Sequence, residues 1–479
     1  MIQLLIRFRT YLCGAALIIF VLSILLFASK NSSAAETELN YGRFGKVTLY
    51  QQGEHPSHVV LFISGDGGWN LGVIDMAKEI ASVDALVVGI DIIHYLKALG
   101  ASSEECSYPA ADFESLSKFV QKKLDFPFYI QPVLIGYSSG ATLAYAVLVQ
   151  APPNTFRGAI SLGFCPDLPL SRPMCKGYGL EWKRGPHGKG YNFLPAKDLR
   201  SPWIVFQGEI DQVCFARDTK DYVRQVKNGE IVLLPKVGHG YSVQRNWMPQ
   251  FRKAFLDMVK KNEPVPTIVE GEVKDLPLIE VRAKDENKQY MAFIITGDGG
   301  WASIDRELGE IFAGKGVSVV GFNSLQYFWT RRTPESTARD MERMIRHYLK
   351  AWKKEYAVFI GYSLGADVLP FVLNRMSPEV VGRLRMAVLI GPGYRADFEF
   401  HLSEWLGEAP SDESLPVLPE VEKLGKRKIK ILCFLGEEEK DSLCRELKGD
   451  LAKVIRIEGG HHFGGNTEVI AESILSEMK

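Results

Sequence analysis

The sequence predicts an α/β protein of two tandem units, each a doubly wound, mainly parallel sheet. Three observations carry this. Short runs such as Val59–Ile63, Leu86–Ile90, Val133–Ile135 and Trp203–Phe206 are apolar throughout, as strands covered on both faces are. Amphipathic stretches separate them. The stretch "PESTARDMERMIRHYLKAW", 334–352, places a proline in a first turn and keeps helical spacing. Finally, the pattern is written twice. "VVLFISGDGGWN" (59–70) returns as "MAFIITGDGGWA" (291–302), "VVGIDIIHYL" (87–96) as "VVGFNSLQYF" (319–328), and "VLIGYSSGATL" (133–143) as "VFIGYSLGADV" (358–368). "GEIDQVC" (208–214) matches the longer "GEEEKDSLC" (436–444), and "KVGHGYS" (236–242) matches "EGGHHFG" (458–464). Alternating strands and helices imply a parallel sheet wound on both faces, with ligands beyond the carboxyl ends of its strands.

The chain divides accordingly. Residues 1–35 read as an export signal, 36–262 as the first unit, 263–275 as a charged linker with prolines, and 276–479 as the second unit. In the leader, Arg7 and Arg9 precede the apolar run Tyr11–Ser29, and small residues follow. Ser33-Ala34-Ala35 suits cleavage before Glu36, although the run is almost long enough to act as an uncleaved anchor. Either way the remainder is expected outside the cytoplasm.

Lys+Arg and Asp+Glu both number 57, so no basic excess points to nucleic acid. Beyond the leader's Cys13, six cysteines remain and none forms a C-x-x-C pair, which argues against zinc; no metal or cofactor is expected. An even count in an oxidising compartment suggests disulfides. Cys433 and Cys444, alone in the second half, are the best-supported pair; Cys106, Cys165, Cys175 and Cys214 allow three pairings.

The chemistry centres on "GYSLGAD", 361–367. The strand "AVFI" precedes it and a helix follows Ser363, the strand–turn–helix setting of an α/β-hydrolase nucleophile. Serine needs an imidazole to take its proton, and the imidazole needs an acid to orient it. Glu438, Glu439 and Asp441 are candidates for the acid. Asp211 lies three residues before Cys214 and Asp441 three before Cys444, so the repeat selects Asp441. Gly238-His239 aligns with Gly460-His461 and selects His461 over His462. The oxyanion donors expected are the amide of Leu364 and one from "TGDGGW", at Gly297 or Asp298. Ser138, Asp211 and His239 form a second candidate site in the first unit.

Together, "TGDGGW", "GFNSLQYFWTRRTPESTARDMERMIRHY", "GYSLGADVLPF", "GEEEKDSLC" and "GGHHFGG" resemble the bacterial VirJ/AcvB virulence-protein family; the added first unit behind a signal resembles its longer, AcvB-type members. The resemblance implies export to the periplasm, a triad of Ser363, Asp441 and His461, hydrolysis of the membrane phospholipid lysyl-phosphatidylglycerol, and a link to virulence and type IV secretion components. A cationic lysyl group calls for acids near the site; Asp367, Asp397 and Glu399 are candidates, and Asp298 if it faces inward. "FNSLQYFW", 322–329, reads equally as a lipid-facing surface or as core. Two other functions fit a hydrolase-like fold: a periplasmic binding protein or secretion chaperone, and a general carboxylesterase.

Overall fold

The computed structural model describes residues 35–261, 273–285, 289–400 and 414–478. The expected export signal, with Cys13, and most of the expected linker lie outside the described residues. Among those described, no helix is long and apolar enough to cross a membrane.

Each unit holds one large sheet. In the first, the strands lie in the order Ala35–Tyr41, Gly45–Gln51, Ala85–Ile90, His58–Ile63, Val133–Tyr137, Gly158–Leu162, Trp203–Gly208 and Gly229–Leu234. In the second the order is Leu278–Val281, Ser318–Phe322, Tyr290–Ile295, Tyr356–Tyr362, Leu384–Ile390, Ile431–Gly436 and Lys453–Ile457. The second order repeats the first without its outermost strand. Gly45–Gln51 and Leu278–Val281 each run antiparallel to the neighbour that continues the sheet, and the pairings beyond are parallel. This is the α/β-hydrolase arrangement, built twice.

The apolar strands are explained by what covers them. In each unit one buried cluster lies on either side of the sheet. Leu61, Leu86 and Leu134 face one cluster in the first unit, while Val60, Val87 and Ile135 face the other. Phe293 and Ile294 divide in the same way in the second. The helix read at 334–352 runs Pro334–Ala351, and Thr333 caps it in a reciprocal bond with Ser336. Val273 and Leu276 are already buried in the second core, so packed structure begins inside the segment expected to be linker.

The units pack against each other. Trp329 is 1% exposed, clustered with Leu325 and Phe400 of its own unit and Tyr129 of the first. Its indole donates to the carbonyl of Phe126 at 2.7 Å. With Phe322, Tyr327 and Phe328 also buried, the aromatic stretch 322–329 is core and interface; the lipid-facing alternative is not what these side chains do.

Candidate active site

Both serines sit on the same strained turn. Ser138 has φ 55° and ψ −123°, and Ser363 has φ 50° and ψ −121°, backbone that side-chain-bearing residues rarely adopt. Each closes a parallel strand and opens a helix, and each amide bonds the end of the next strand, at Leu162 and Ile390, at 2.9 Å. The flanking glycines make the turn sterically feasible: a Cβ at Gly365 would lie 2.0 Å from the carbonyl oxygen of Ile295.

In the first unit, Ser138 Oγ is 2.9 Å from His239 Nε2, and His239 Nδ1 is 2.9 Å from Asp211 Oδ2. A carboxylate can only accept, so Nδ1 donates and Nε2 is left to take the serine proton. Asp211 is itself held firmly. Its Oδ1 accepts from the amides of Val213 at 2.8 Å and Cys214 at 3.0 Å, and Oδ2 also accepts from Gln207 at 3.1 Å.

In the second unit the histidine expected from sequence pairs with a carboxylate and lines a cavity with Ser363, but the acid is different. His461 Nδ1 lies 2.5 Å from Glu439 Oε1, whereas Asp441 is exposed and lies near Tyr394. Glu439 therefore replaces Asp441. The cause is the frame of alignment. Counted from the strand end, Gly208 to Asp211 and Gly436 to Glu439 are the same step, and the two extra residues of the second unit fall between the acid and its cysteine. The strand end is the rigid anchor, while the cysteine lies beyond a variable loop.

Ser363 and His461 line one cavity, but the serine makes no hydrogen bond to the imidazole. Tyr362 accounts for part of this difference. Its counterpart Tyr137 donates to the carbonyl of His239 at 2.9 Å; Tyr362 reaches that of His461 only at 3.4 Å and shares its hydroxyl with His462 Nδ1 at 2.9 Å. Burial pushes the pKa of His462 below its ordinary value, so it serves as a neutral prop. Position 391, missed in the sequence reading, makes room for the base. At φ 58°, a Cβ there would come within 2.9 Å of the His461 ring, and Gly163 plays the same part beside His239. Their common place after matching strands was the available signal.

Of the oxyanion candidates, Leu364 opens the helix behind Ser363, as required. The Gly297 amide points to Asp305 Oδ2 at 3.4 Å, and both Gly297 and Asp298 line the cavity that holds Ser363. The acids expected to meet a cationic group lie elsewhere. Asp367 accepts from the Gly393 amide at 2.6 Å, Asp397 is buried, and Glu399 faces Lys122 of the first unit at 3.4 Å. None of these three lines the cavity holding Ser363, which has a volume of about 870 Å³; Glu114, Asp298, Asp305 and Glu307 do. Asp367, half-buried on the nucleophile helix, serves a loop instead. Asp305 was missed because "GDGGW" drew attention to the glycines and not to the helix that follows.

Cys433 and Cys444 are bonded, and the first unit pairs Cys106 with Cys175 and Cys165 with Cys214. The matched cysteines 214 and 444 thus tie the acid loop to different anchors.

Comparison with solved structures finds an esterase domain from Rhodothermus marinus (14% identity, TM-score 0.30, covering 47% of this chain and 95% of that one). It also finds an α/β serine hydrolase homologue from Coxiella burnetii (16%, TM-score 0.31, 49% and 99%) and an α/β serine hydrolase without lid from Xanthomonas campestris (18%, TM-score 0.31, 49% and 96%). Comparison with curated proteins finds no match. The family model described as bacterial virulence protein (VirJ) matches residues 57–160 and 289–479, more than half of the chain and nearly all of the second unit, and the chain belongs to that family.

Proposed function

We propose that the protein is an exported serine hydrolase that cleaves the aminoacyl ester of lysyl-phosphatidylglycerol, releasing lysine and phosphatidylglycerol. The observation that carries the hydrolase reading is the paired constellation: in both units a serine on a strained strand–helix turn and a histidine whose Nδ1 meets a buried or half-buried carboxylate, bonded to the serine in the first unit and sharing its cavity in the second. The substrate rests on the family resemblance. Ser363 attacks the ester carbonyl as His461 takes its proton, and Glu439 steadies the imidazolium. The developing oxyanion meets the amide of Leu364 and that of Gly297 or Asp298. The glyceryl oxygen leaves with the proton from His461, and water then resolves the lysyl ester on Ser363 by the same route reversed. The open Ser363–His461 geometry is compatible with this, because catalytic hydrogen bonds often tighten only when substrate fills the site.

A second reading, catalysis at Ser138, is favoured by the complete hydrogen-bonded series there. Residence in the periplasm and work beside type IV secretion components belong to the same proposal. The test is lipid analysis of cells with the protein, without it, and with Ser363→Ala or Ser138→Ala. Accumulated lysyl-phosphatidylglycerol without the protein and with Ser363→Ala supports the main reading. Loss confined to Ser138→Ala moves the chemistry to the first unit. Unchanged lipid in every strain favours a binding protein or chaperone. A general carboxylesterase would instead cleave neutral esters as readily.

A further inference from the structure

The cavity that holds Ser363 is not built by the second unit alone. One wall comes from the first, through Tyr108, Glu114 and Tyr178. That wall is firmly constructed. The Cys106–Cys175 disulfide ties the segment bearing Tyr108 to the one bearing Tyr178. Fully buried Gln150 knits the same segments: its amide donates to the carbonyls of Ser107 and Cys175, and its side-chain oxygen accepts from the Ala110 amide. The Tyr108 hydroxyl and the Tyr178 amide both donate to the Gln150 carbonyl. The wall also touches the catalytic loop. Lys118, wholly buried and paired with Glu114 at 2.8 Å, donates to the Asp298 carbonyl at 3.4 Å, and the Tyr178 hydroxyl bonds Ser303.

The opposite wall is acidic, and among the described residues no lysine or arginine lines the cavity. Asp305 is 2% exposed; Oδ2 meets the Gly297 amide, while Oδ1 has no hydrogen-bond partner. A buried acceptor without a donor is costly, and a donor brought by a ligand offsets that cost. The fold does not require this acid, because the matching position in the first unit is the buried apolar Val73.

We propose that the Ser363 site is composite, and that the first-unit wall, with Asp305 and Glu307, receives the ammonium of a cationic acyl group whose ester carbonyl lies at Ser363. This rests on the reading of Ser363 as nucleophile, and adds to it the elements that select the acyl group. An ammonium offers three donors and no acceptor, which suits carboxylates flanked by aromatic rings.

The test uses the full chain with Ser138→Ala, so that turnover reports on Ser363, and lysyl and hexanoyl esters of one alcohol. Glu307→Gln and Asp305→Asn each lower the lysyl-to-hexanoyl ratio of kcat/KM by about 10- to 100-fold, the scale of one charged hydrogen bond. Tyr178→Ala, at a side chain 43% exposed and therefore tolerant of truncation, lowers the same ratio. Hexanoyl turnover reports folding in each variant. An unchanged ratio across these variants overturns the composite site. If Ser363→Ala in that background still turns over both esters, the nucleophile reading fails and the composite site with it. If Ser363→Ala abolishes turnover while the wall variants keep the ratio, only the composite site fails.

Discussion

Asp211 in the first unit is bonded by two backbone amides and a glutamine besides its histidine, whereas Glu439 in the second has one oxygen on His461 and the other buried without a partner. The glutamine that braces Asp211 at position 207 is replaced, at the matching strand position, by Leu435. The imidazoles differ as well: the His239 side chain is 18% exposed and that of His461 38%. One unit thus has a rigid triad of its own, and the other a looser one that faces a cavity closed by its neighbour. Duplication kept the turn, the strand order and the histidine, because those depend on backbone geometry. It let the support of the acid diverge, because that depends on a few side chains.

The largest expected effects separate the two nucleophiles. Ser363→Ala lowers lysyl-phosphatidylglycerol hydrolysis by roughly 10³-fold or more, since triad members act as a unit, and Ser138→Ala lowers it by less than about tenfold. Assays of both purified single mutants check this, and the reverse pattern would make the ordered first-unit triad the working one.

Next comes the acid. Glu439→Gln costs roughly 10²- to 10⁴-fold in kcat, in the range known when a triad carboxylate becomes an amide, whereas Asp441→Asn stays close to wild type. A large loss at Asp441 alone would restore the assignment made from the disulfide end of the loop.

The packing of the units is sharpened by Trp329→Ala. Truncating a fully buried tryptophan costs about 3–5 kcal/mol, read as a lower melting temperature of the second unit. Turnover at Ser363 falls with it, while that at Ser138 does not. A loss shared by both would mean that the interface serves general stability.

The smallest effect concerns pH. In the ligand-free protein burial holds the Asp305 carboxyl well above its ordinary pKa, and an ammonium bound beside it would favour the ionised form. A raised pKa contributes stability that is fully present below the unfolded value and is lost as pH rises through the folded one. The melting temperature should therefore fall from mildly acidic towards alkaline pH in wild type, and less steeply in Asp305→Asn. Parallel curves for the two proteins would show that Asp305 is ionised in the folded state. The first unit, with Val73 there, supplies no such slope.

The sequence by itself determined the fold and the duplication, because uniformly apolar strands, helical spacing and turn glycines are local and were written twice. It also singled out Ser363 and His461 as candidates, from motif and order along the chain. The tertiary structure decided the rest. Glu439 was chosen over Asp441 by the strand end from which the loop departs, since a fixed backbone anchor sets reach and distance along an irregular loop does not. Asp367 and Glu399 were drawn away by a backbone amide and by Lys122, partners remote in sequence. The acidic cavity joins Glu114 to Glu307 across nearly two hundred residues, and pairing of that kind arises only when two separately folded sheets are packed side by side.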